Sequence, residues 1–122
     1  MIIAMVNDRS FAQKIEEAAA REGSVCLFLG DEETLWAALS EGTPDVLLID
    51  IGITAFDGPE LIQKLKQNPA TRNIPIVAFG TSLRADLLQD ARELGADKIL
   101  AKSAFREQIT GLIRHYCGNS KG

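Results

Sequence analysis

The sequence predicts a three-layer α/β sandwich, in which helices cover both faces of a parallel five-stranded sheet. Five short apolar runs alternate with five longer stretches of helical periodicity. The apolar runs are hydrophobic almost throughout, as is typical of strands that are covered on both faces. An uninterrupted (βα)5 alternation requires right-handed crossovers, and therefore a doubly wound parallel sheet.

Length and composition agree with one globular domain. The chain has 122 residues, of which 46% are hydrophobic and 25% charged, and a single core suits that size. We expect residues 1–117 to form the domain and residues 118–122 to be a frayed tail. Two cysteines exclude a disulfide framework and a four-cysteine zinc site.

Charge and hydropathy narrow the class of partner and the location. The net charge of -4 gives no electrostatic reason to expect direct binding to nucleic acid or to an anionic membrane. The first residues lack the basic region of a signal peptide, and no segment approaches the roughly 20 apolar residues that cross a bilayer. We therefore expect a cytoplasmic protein. We also expect a monomer or a weak dimer.

The five strands are predicted at the apolar runs, and the helices lie between and after them. The runs are Ile2 to Val6, Val25 to Leu29, Val46 to Ile49, Ile76 to Phe79 and Lys98 to Ala101. The first helix has a capping box from Ser10 to Gln13 and stops at Gly23. The second begins at Asp31, whose carboxylate favours the helix dipole, and stops at Gly42.

The last three helices have start or stop signals of the same kind. The third follows Asp57-Gly58-Pro59, where proline suits the first turn, and ends at Asn68. Gly95 closes the fourth, and Ser103 is the expected cap of the fifth.

Polar residues follow several of the strands, and the carboxyl ends of parallel strands meet at one rim, where ligands of such sheets bind. These residues are Asn7 and Asp8, Asp50, Thr81 and Ser82, and Lys102. Two carboxylates can hold a divalent cation through oxygen ligands, while an ammonium group offsets a phosphate. Thr81 and Ser82 can contact the phosphate or cap the fourth helix.

The sequence of the turn between the first strand and the first helix argues against other functions that proteins of this fold class have. A dinucleotide-binding domain has the glycine pattern GxGxxG there, whereas this chain has Asn7-Asp8-Arg9-Ser10, and a carboxylate would repel a pyrophosphate. The sequence contains no P-loop pattern, and a flavin site would need a phosphate-binding loop at the same place.

At these residues the chain resembles the receiver domain of two-component response regulators, over essentially its whole length. The segments that carry the resemblance are NDRS, DVLLIDIGITAFDG, IPIVAF, GAD and LAKS. The resemblance implies a flavodoxin-like, CheY-like sheet with strand order 2-1-3-4-5.

The resemblance also implies a role for each rim residue. Asp50 would be the phosphoacceptor and Lys102 would offset charge on the phosphoryl oxygens. Mg²⁺ would be held by Asp8, by Asp50 and by the backbone carbonyl of Gly52, with Asn7 acting through water. The phosphoryl group would come from a sensor histidine kinase or a phosphotransfer protein and would change the binding of a downstream protein. Such a domain is not a turnover enzyme.

Five positions depart from the family pattern. Asn7 replaces the first acid, Gly80 the switch hydroxyl at the end of the fourth strand, and Ile99 the switch aromatic residue. Ser103 and Thr54 stand where prolines are common. The alternative function is therefore a degenerate pseudo-receiver, a protein-interaction module that works without phosphorylation.

Overall fold

The fold is a five-stranded parallel sheet between two layers of helices. The computed structural model describes residues 1–81 and 84–118. The strands are β1 (Ile2–Met5), β2 (Cys26–Phe28), β3 (Val46–Asp50), β4 (Ile76–Gly80) and β5 (Lys98–Ala101). The helices are α1 (Arg9–Arg21), α2 (Glu32–Glu41), α3 (Gly58–Gln67), α4 (Ala85–Glu93) and α5 (Lys102–Ile113), which continues into a π-helical turn, Arg114–Gly118.

The strand order is β2-β1-β3-β4-β5, and all neighbouring pairs are parallel. The predicted fold class is therefore confirmed, including the order 2-1-3-4-5. Every residue of β1, β3 and β4 is buried. The expectation of full burial is wrong for the outer strands β2 and β5, which are partly exposed. An edge strand has a neighbour on one side only, and Leu27 of β2 is 41% exposed.

Successive residues of the central strands feed two separate cores, because side chains of a strand alternate between the faces of a sheet. Ile2 and Ala4 of β1 pack in the core beneath α1 and α5. Ile3 and Met5 pack in the core on the opposite face, beneath α2, α3 and α4. In the first core, Phe79 of β4 stacks on a ring of α5 at 3.9 Å between centroids.

The predicted cap at Asp31 is confirmed, and the structure shows a further cap at Asp57, which was predicted only to precede the third helix. Asp31 caps α2 by accepting the backbone N–H of Thr34, and Asp57 caps α3 by accepting that of Glu60. The capping box from Ser10 is wrong, because α1 begins earlier and its N-cap is Asp8. The Ser103 cap is also wrong, because α5 begins at Lys102, directly after β5. No side-chain cap bond forms there.

The described part of the chain has no helix that is both long and apolar enough to span a bilayer. Gly118 of the expected tail lies in the π-helical turn. Residues 119–122 and Ser82 lie outside the described residues.

Candidate functional site

A pocket of about 260 Å³ opens at the carboxyl ends of β1, β3, β4 and β5. It is lined by Asn7, Asp50, Ile51, Gly52, Gly80, Thr81, Arg84 and Lys102. The strand ends thus bring together Asn7, Asp50, Thr81 and Lys102, four of the residues that the sequence singled out. The charged groups in the lining are one carboxylate and two cations.

Asp50 is the buried charged group of this pocket. Its side chain is 6% exposed, and Oδ2 lies 3.6 Å from Nζ of Lys102. Its Oδ1 accepts the backbone N–H of Gly52 at 2.9 Å. Burial of a carboxylate is costly without a hydrogen bond and an opposite charge, and both are present here.

Gly52 leaves room for this arrangement. A Cβ atom at Gly52 would lie 3.2 Å from Oδ1 of Asp50, which is closer than nearly all side chains approach. The glycine therefore allows the backbone to turn tightly back onto the carboxylate. The backbone carbonyl of Gly52 lies in the loop that follows β3, two residues after Asp50.

Lys102 is positioned by the packing of α1 against α5. As the first residue of α5, it directly follows β5, and its Nζ lies 5.4 Å from the centroid of the Phe11 ring. That ring packs at 5.7 Å from Phe105 and at 5.8 Å from Phe79. The buried aromatic cluster holds the Phe11 ring in place, and the face of that ring attracts the charge of Lys102.

Asp8 is used in the start of α1. Its Oδ1 accepts the backbone N–H of Ser10 at 2.8 Å, the Ser10 hydroxyl at 2.7 Å and the backbone N–H of Phe11 at 3.3 Å. The pKa of Asp8 lies below the usual aspartate value. The hydrogen bond from the Ser10 hydroxyl is the main cause, and the hydrogen bonds from the two backbone N–H groups come next. Asp8 is therefore ionised near the rim, although it does not line the Asp50 pocket.

The donor set of the pocket suits a hard divalent cation only in part. Among the described residues, no group of three or more His, Cys, Asp and Glu side chains could hold a metal ion. The lining supplies the Asp50 carboxylate, the Asn7 amide and the Gly52 backbone. These are the oxygen ligands that Mg²⁺ takes in proteins, usually together with several waters.

Thr81 is exposed and lines the pocket, whereas capping of α4 by its side chain is not observed. The N-cap of α4 is Arg84, with no side-chain cap bond. The backbone N–H of Arg84 donates to the carbonyl of Thr81 at 3.0 Å, and this turn holds both residues at the pocket.

Ile51 fills the space beside Gly80, where the receiver pattern has a hydroxyl. A Cβ atom at Gly80 would lie 3.0 Å from Cγ1 of Ile51. On its other side, Ile51 lies against Gly58, where a Cβ atom would lie 3.1 Å from Cα of Ile51. Ile51 is therefore wedged between two glycines, and it is 3% exposed.

Arg84 is a charged residue of the pocket that the sequence did not indicate. Its side chain is 54% exposed, and its Nε lies 3.5 Å from Oδ1 of Asp86. Its place depends on the path of the loop after β4, which hydrophobic periodicity does not determine. The available signal was a basic residue shortly after the end of a buried strand.

Comparison with known proteins identifies the family. The family model for the response regulator receiver domain matches residues 2–114. The chain belongs to this family. Receiver domains are signalling domains of two-component systems, and they interact with histidine kinases and downstream effectors.

Curated relatives of this receiver domain are longer proteins. The DNA-binding transcriptional regulator NtrC of Salmonella typhimurium is 29% identical over 107 residues, which are 88% of this chain and 22% of NtrC. Response regulator Rcp1 of Synechocystis is 35% identical over 71 residues, 58% of this chain and 48% of Rcp1. The matches thus cover less than half the length of these relatives.

Solved receiver structures share the fold. The Mn²⁺-bound form of Rcp1 superposes with a TM-score of 0.79 at 21% identity, covering 95% of this chain and 93% of that one. The receiver domain of sensor histidine kinase PA1611 from Pseudomonas aeruginosa, with magnesium in its active site cleft, gives 0.77 at 17% identity, covering 96% of each chain. Divalent metal binding thus occurs within the family.

Proposed function

We propose that this receiver domain accepts a phosphoryl group on Asp50. One observation carries the proposal: a buried carboxylate lies 3.6 Å from a lysine amine in a pocket at the strand ends. Both residues occur where the receiver pattern has its acceptor and its lysine. The pocket is open to solvent through exposed Thr81 and Gly52, so a donor group can approach.

The chemistry is an in-line phosphoryl transfer. A carboxylate oxygen of Asp50 forms a bond to phosphorus as the phosphorus–nitrogen bond of a phosphohistidine breaks, and the donor imidazole takes up a proton. The product is an acyl phosphate. Transfer of this kind depends mainly on positioning and on offsetting charge on the phosphoryl oxygens, which is the role of Lys102.

Mg²⁺ is the proposed cofactor, bound weakly. Asp50, the Gly52 carbonyl and Asn7 through water would hold it, with Asp8 nearby at the start of α1. The ion would offset charge on the phosphoryl oxygens. Asn7 contributes one negative charge less than an aspartate, which lowers the affinity for the ion.

The proposed partners are a histidine kinase or phosphotransfer protein as donor and a protein that responds to the phosphorylated state. An acyl phosphate adds charge at the rim, and added charge acts on neighbouring loops through new hydrogen bonds. Gly80 lacks the hydroxyl that would make such a bond.

A phosphorylation-independent interaction module is the second candidate. The packing of Ile51 against Gly80 supports it, because this contact fills the space where a switch side chain would stand. In that case the fold presents a fixed surface to its partner.

Intact-mass measurement tests the first function. The protein is incubated with a small acyl phosphate donor and Mg²⁺, and we expect a gain of one phosphoryl group that Asp50→Asn abolishes. Asp57→Asn is the matched control, because Asp57 also follows β3 but caps α3. An unchanged mass of the parent protein would favour the second candidate, and a gain in Asp50→Asn would refute the assignment of Asp50.

A further inference from the structure

We propose that Arg84 is a second cationic ligand for phosphate oxygens in the Asp50 pocket, acting together with Lys102. This inference rests on the proposed function, since it concerns the same site. Arg84 lines the Asp50 pocket with Lys102. It also lines the adjoining pocket of about 360 Å³ between the loop after β3 and α4. Arg84 therefore lies where the two pockets meet.

Formal charges support a role in anion binding. Asp50, Lys102 and Arg84 are the charged residues of the lining, so the pocket has one negative and two positive charges. Phosphorylation replaces the Asp50 carboxylate with a group of about -2 charge near neutral pH. Two cations balance that group, whereas Lys102 alone leaves about one negative charge uncompensated.

The shape of the side chain suits this role as well as its charge. A guanidinium group presents five N–H donors in a planar fork, which can bind two phosphate oxygens at once. The receiver pattern has a hydroxyl donor at the end of β4, and this chain has Gly80 there. Arg84 reaches the same pocket from the first turn after that strand and supplies donors that Gly80 lacks.

Arg84 forms an exposed ion pair with Asp86, which it can exchange for a phosphate. Asp86 is 3.5 Å away, and both side chains are more than half exposed. Exposed ion pairs of this kind contribute little to stability, because water and salt screen them. A phosphate in the pocket competes with Asp86 for the same guanidinium group.

Inorganic phosphate is the probe, titrated at constant ionic strength with divalent metal removed by a chelator. The amide signals of Gly52 and Thr81 report binding by NMR. We expect Arg84→Gln to weaken phosphate binding about three- to tenfold, as for loss of one charge-assisted contact at a partly exposed site. Arg84→Lys should recover part of the affinity, because it restores the charge without the fork.

Two further variants complete the design. Arg92→Gln, on the exposed side of α4, should bind phosphate like the parent protein. Asp86→Asn should bind it more tightly, because the competing carboxylate is gone. Equal affinity in the parent and Arg84→Gln, or no phosphate binding by the parent, would overturn the inference.

The two proposals fail separately. If Asp50 gains a phosphoryl group while Arg84→Gln binds phosphate like the parent, the role of Arg84 is refuted and the proposed function stands. If phosphate binding depends on Arg84 but Asp50 never gains a phosphoryl group, the ligand role stands and the proposed function fails.

Discussion

Ile51 occupies the space that a side chain at Gly80 would need. A Cβ atom at Gly80 would lie 3.0 Å from Cγ1 and 3.4 Å from Cδ1 of Ile51. The backbone itself is not the obstacle, because among the described residues only Gly23 and Gly95 have a positive φ. The glycine at position 80 therefore fits beside the large side chain of Ile51, which leaves little room for a side chain that carries a hydroxyl.

The first prediction is a stability coupling between these two residues. Gly80→Thr should destabilise the fold by about 1–3 kcal/mol through overpacking, and Ile51→Ala by about 2–5 kcal/mol through lost packing. The double variant should lose less than the sum by at least about 0.5 kcal/mol, because alanine lacks Cγ1 and Cδ1, the two atoms that crowd Gly80. Urea unfolding measures the cycle, and strict additivity would contradict the proposed contact.

A second prediction concerns the response to a phosphoryl mimic. With beryllium fluoride bound, we expect NMR shifts near Asp50 and Lys102 and almost none at Ile99 on β5. Because Gly80 cannot form the switch hydrogen bond, bound beryllium fluoride shifts the equilibrium between the two conformational states of the domain by roughly 1.5–3 kcal/mol less. This difference corresponds to about tenfold or more in the population ratio of the two states.

The double variant Gly80→Thr with Ile51→Ala provides the test of this explanation. It should extend the response to Ile99, because it restores a hydroxyl and the room for it. Large shifts at Ile99 in the parent protein would mean that another donor transmits the signal.

The fold could be predicted from the sequence because its signals are local and repeated. Apolar runs and helical periodicity set the elements, and Asp31 caps α2 where a carboxylate precedes an apolar face. The exposure of β2 and β5 could not be read from their composition. It follows from their place at the edges of the sheet, which the resemblance implied through the strand order 2-1-3-4-5 and the apolar runs alone do not show.

The site could be predicted only where a residue is fixed by the end of a strand. Asp50 and Lys102 directly follow or end apolar runs, and the structure places them 3.6 Å apart. Arg84 and Asp8 differ, because their positions depend on the loop path and on which of two adjacent residues caps a helix. Asp8 competes with Ser10 for the same cap, and periodicity does not decide between them.

A third prediction is that Asn7→Asp tightens Mg²⁺ binding. The added carboxylate raises the negative charge of a lining that has Asp50 as its acid, and we expect affinity to rise about three- to tenfold. The amide shift of Gly52 during a Mg²⁺ titration measures this. Asn73→Asp is the control, since Asn73 precedes β4 and lies at the opposite end of the sheet. Equal affinities for Asn7→Asp and the parent would contradict the metal assignment.

A fourth prediction follows from the lowered pKa of Asp8. The Ser10 hydroxyl, together with backbone N–H groups, favours its ionised form in the folded state. A carboxylate whose pKa is lower in the folded state than in the unfolded state stabilises the fold at pH values above its unfolded-state pKa. This stabilisation is lost as the pH falls through the folded-state pKa. The stability advantage of the parent protein over Asp8→Ala should therefore be full at neutral pH and disappear in acid, below pH 3.8.

Thermal unfolding of both proteins across that range measures the effect. Asp31→Ala is a comparable control, because Asp31 caps α2 and also has a lowered pKa, caused by the backbone N–H of Thr34. Both variants should show the same acid dependence. A constant difference between parent and Asp8→Ala at all pH values would show that the charge of Asp8 is not what stabilises α1.

The fifth prediction separates the stability of the sheet from the chemistry at its rim. Lys66 of α3 donates to the carbonyls of Arg72 and Ile74 at 3.2 and 2.9 Å and to Oδ2 of Asp97 at 2.8 Å. The same Asp97 oxygen accepts the backbone N–H of Ile76 at the start of β4. Lys66 therefore joins α3 to the entry of two adjacent strands, at the end of the sheet away from Asp50.

Lys66→Met keeps much of the stem and removes all three hydrogen bonds. It should lower the free energy of unfolding by about 2–3 kcal/mol, because Asp97 loses its cation and two carbonyls lose a donor. Lys64→Met, on the exposed face of the same helix, should cost much less, since its pairs with Glu32 and Glu60 are exposed. Urea unfolding compares the two variants, and phosphate binding at the Asp50 pocket should match the parent in both. Equal destabilisation by the two substitutions would refute the structural role of Lys66, and weakened phosphate binding in folded Lys66→Met would mean that the two ends of the sheet are coupled.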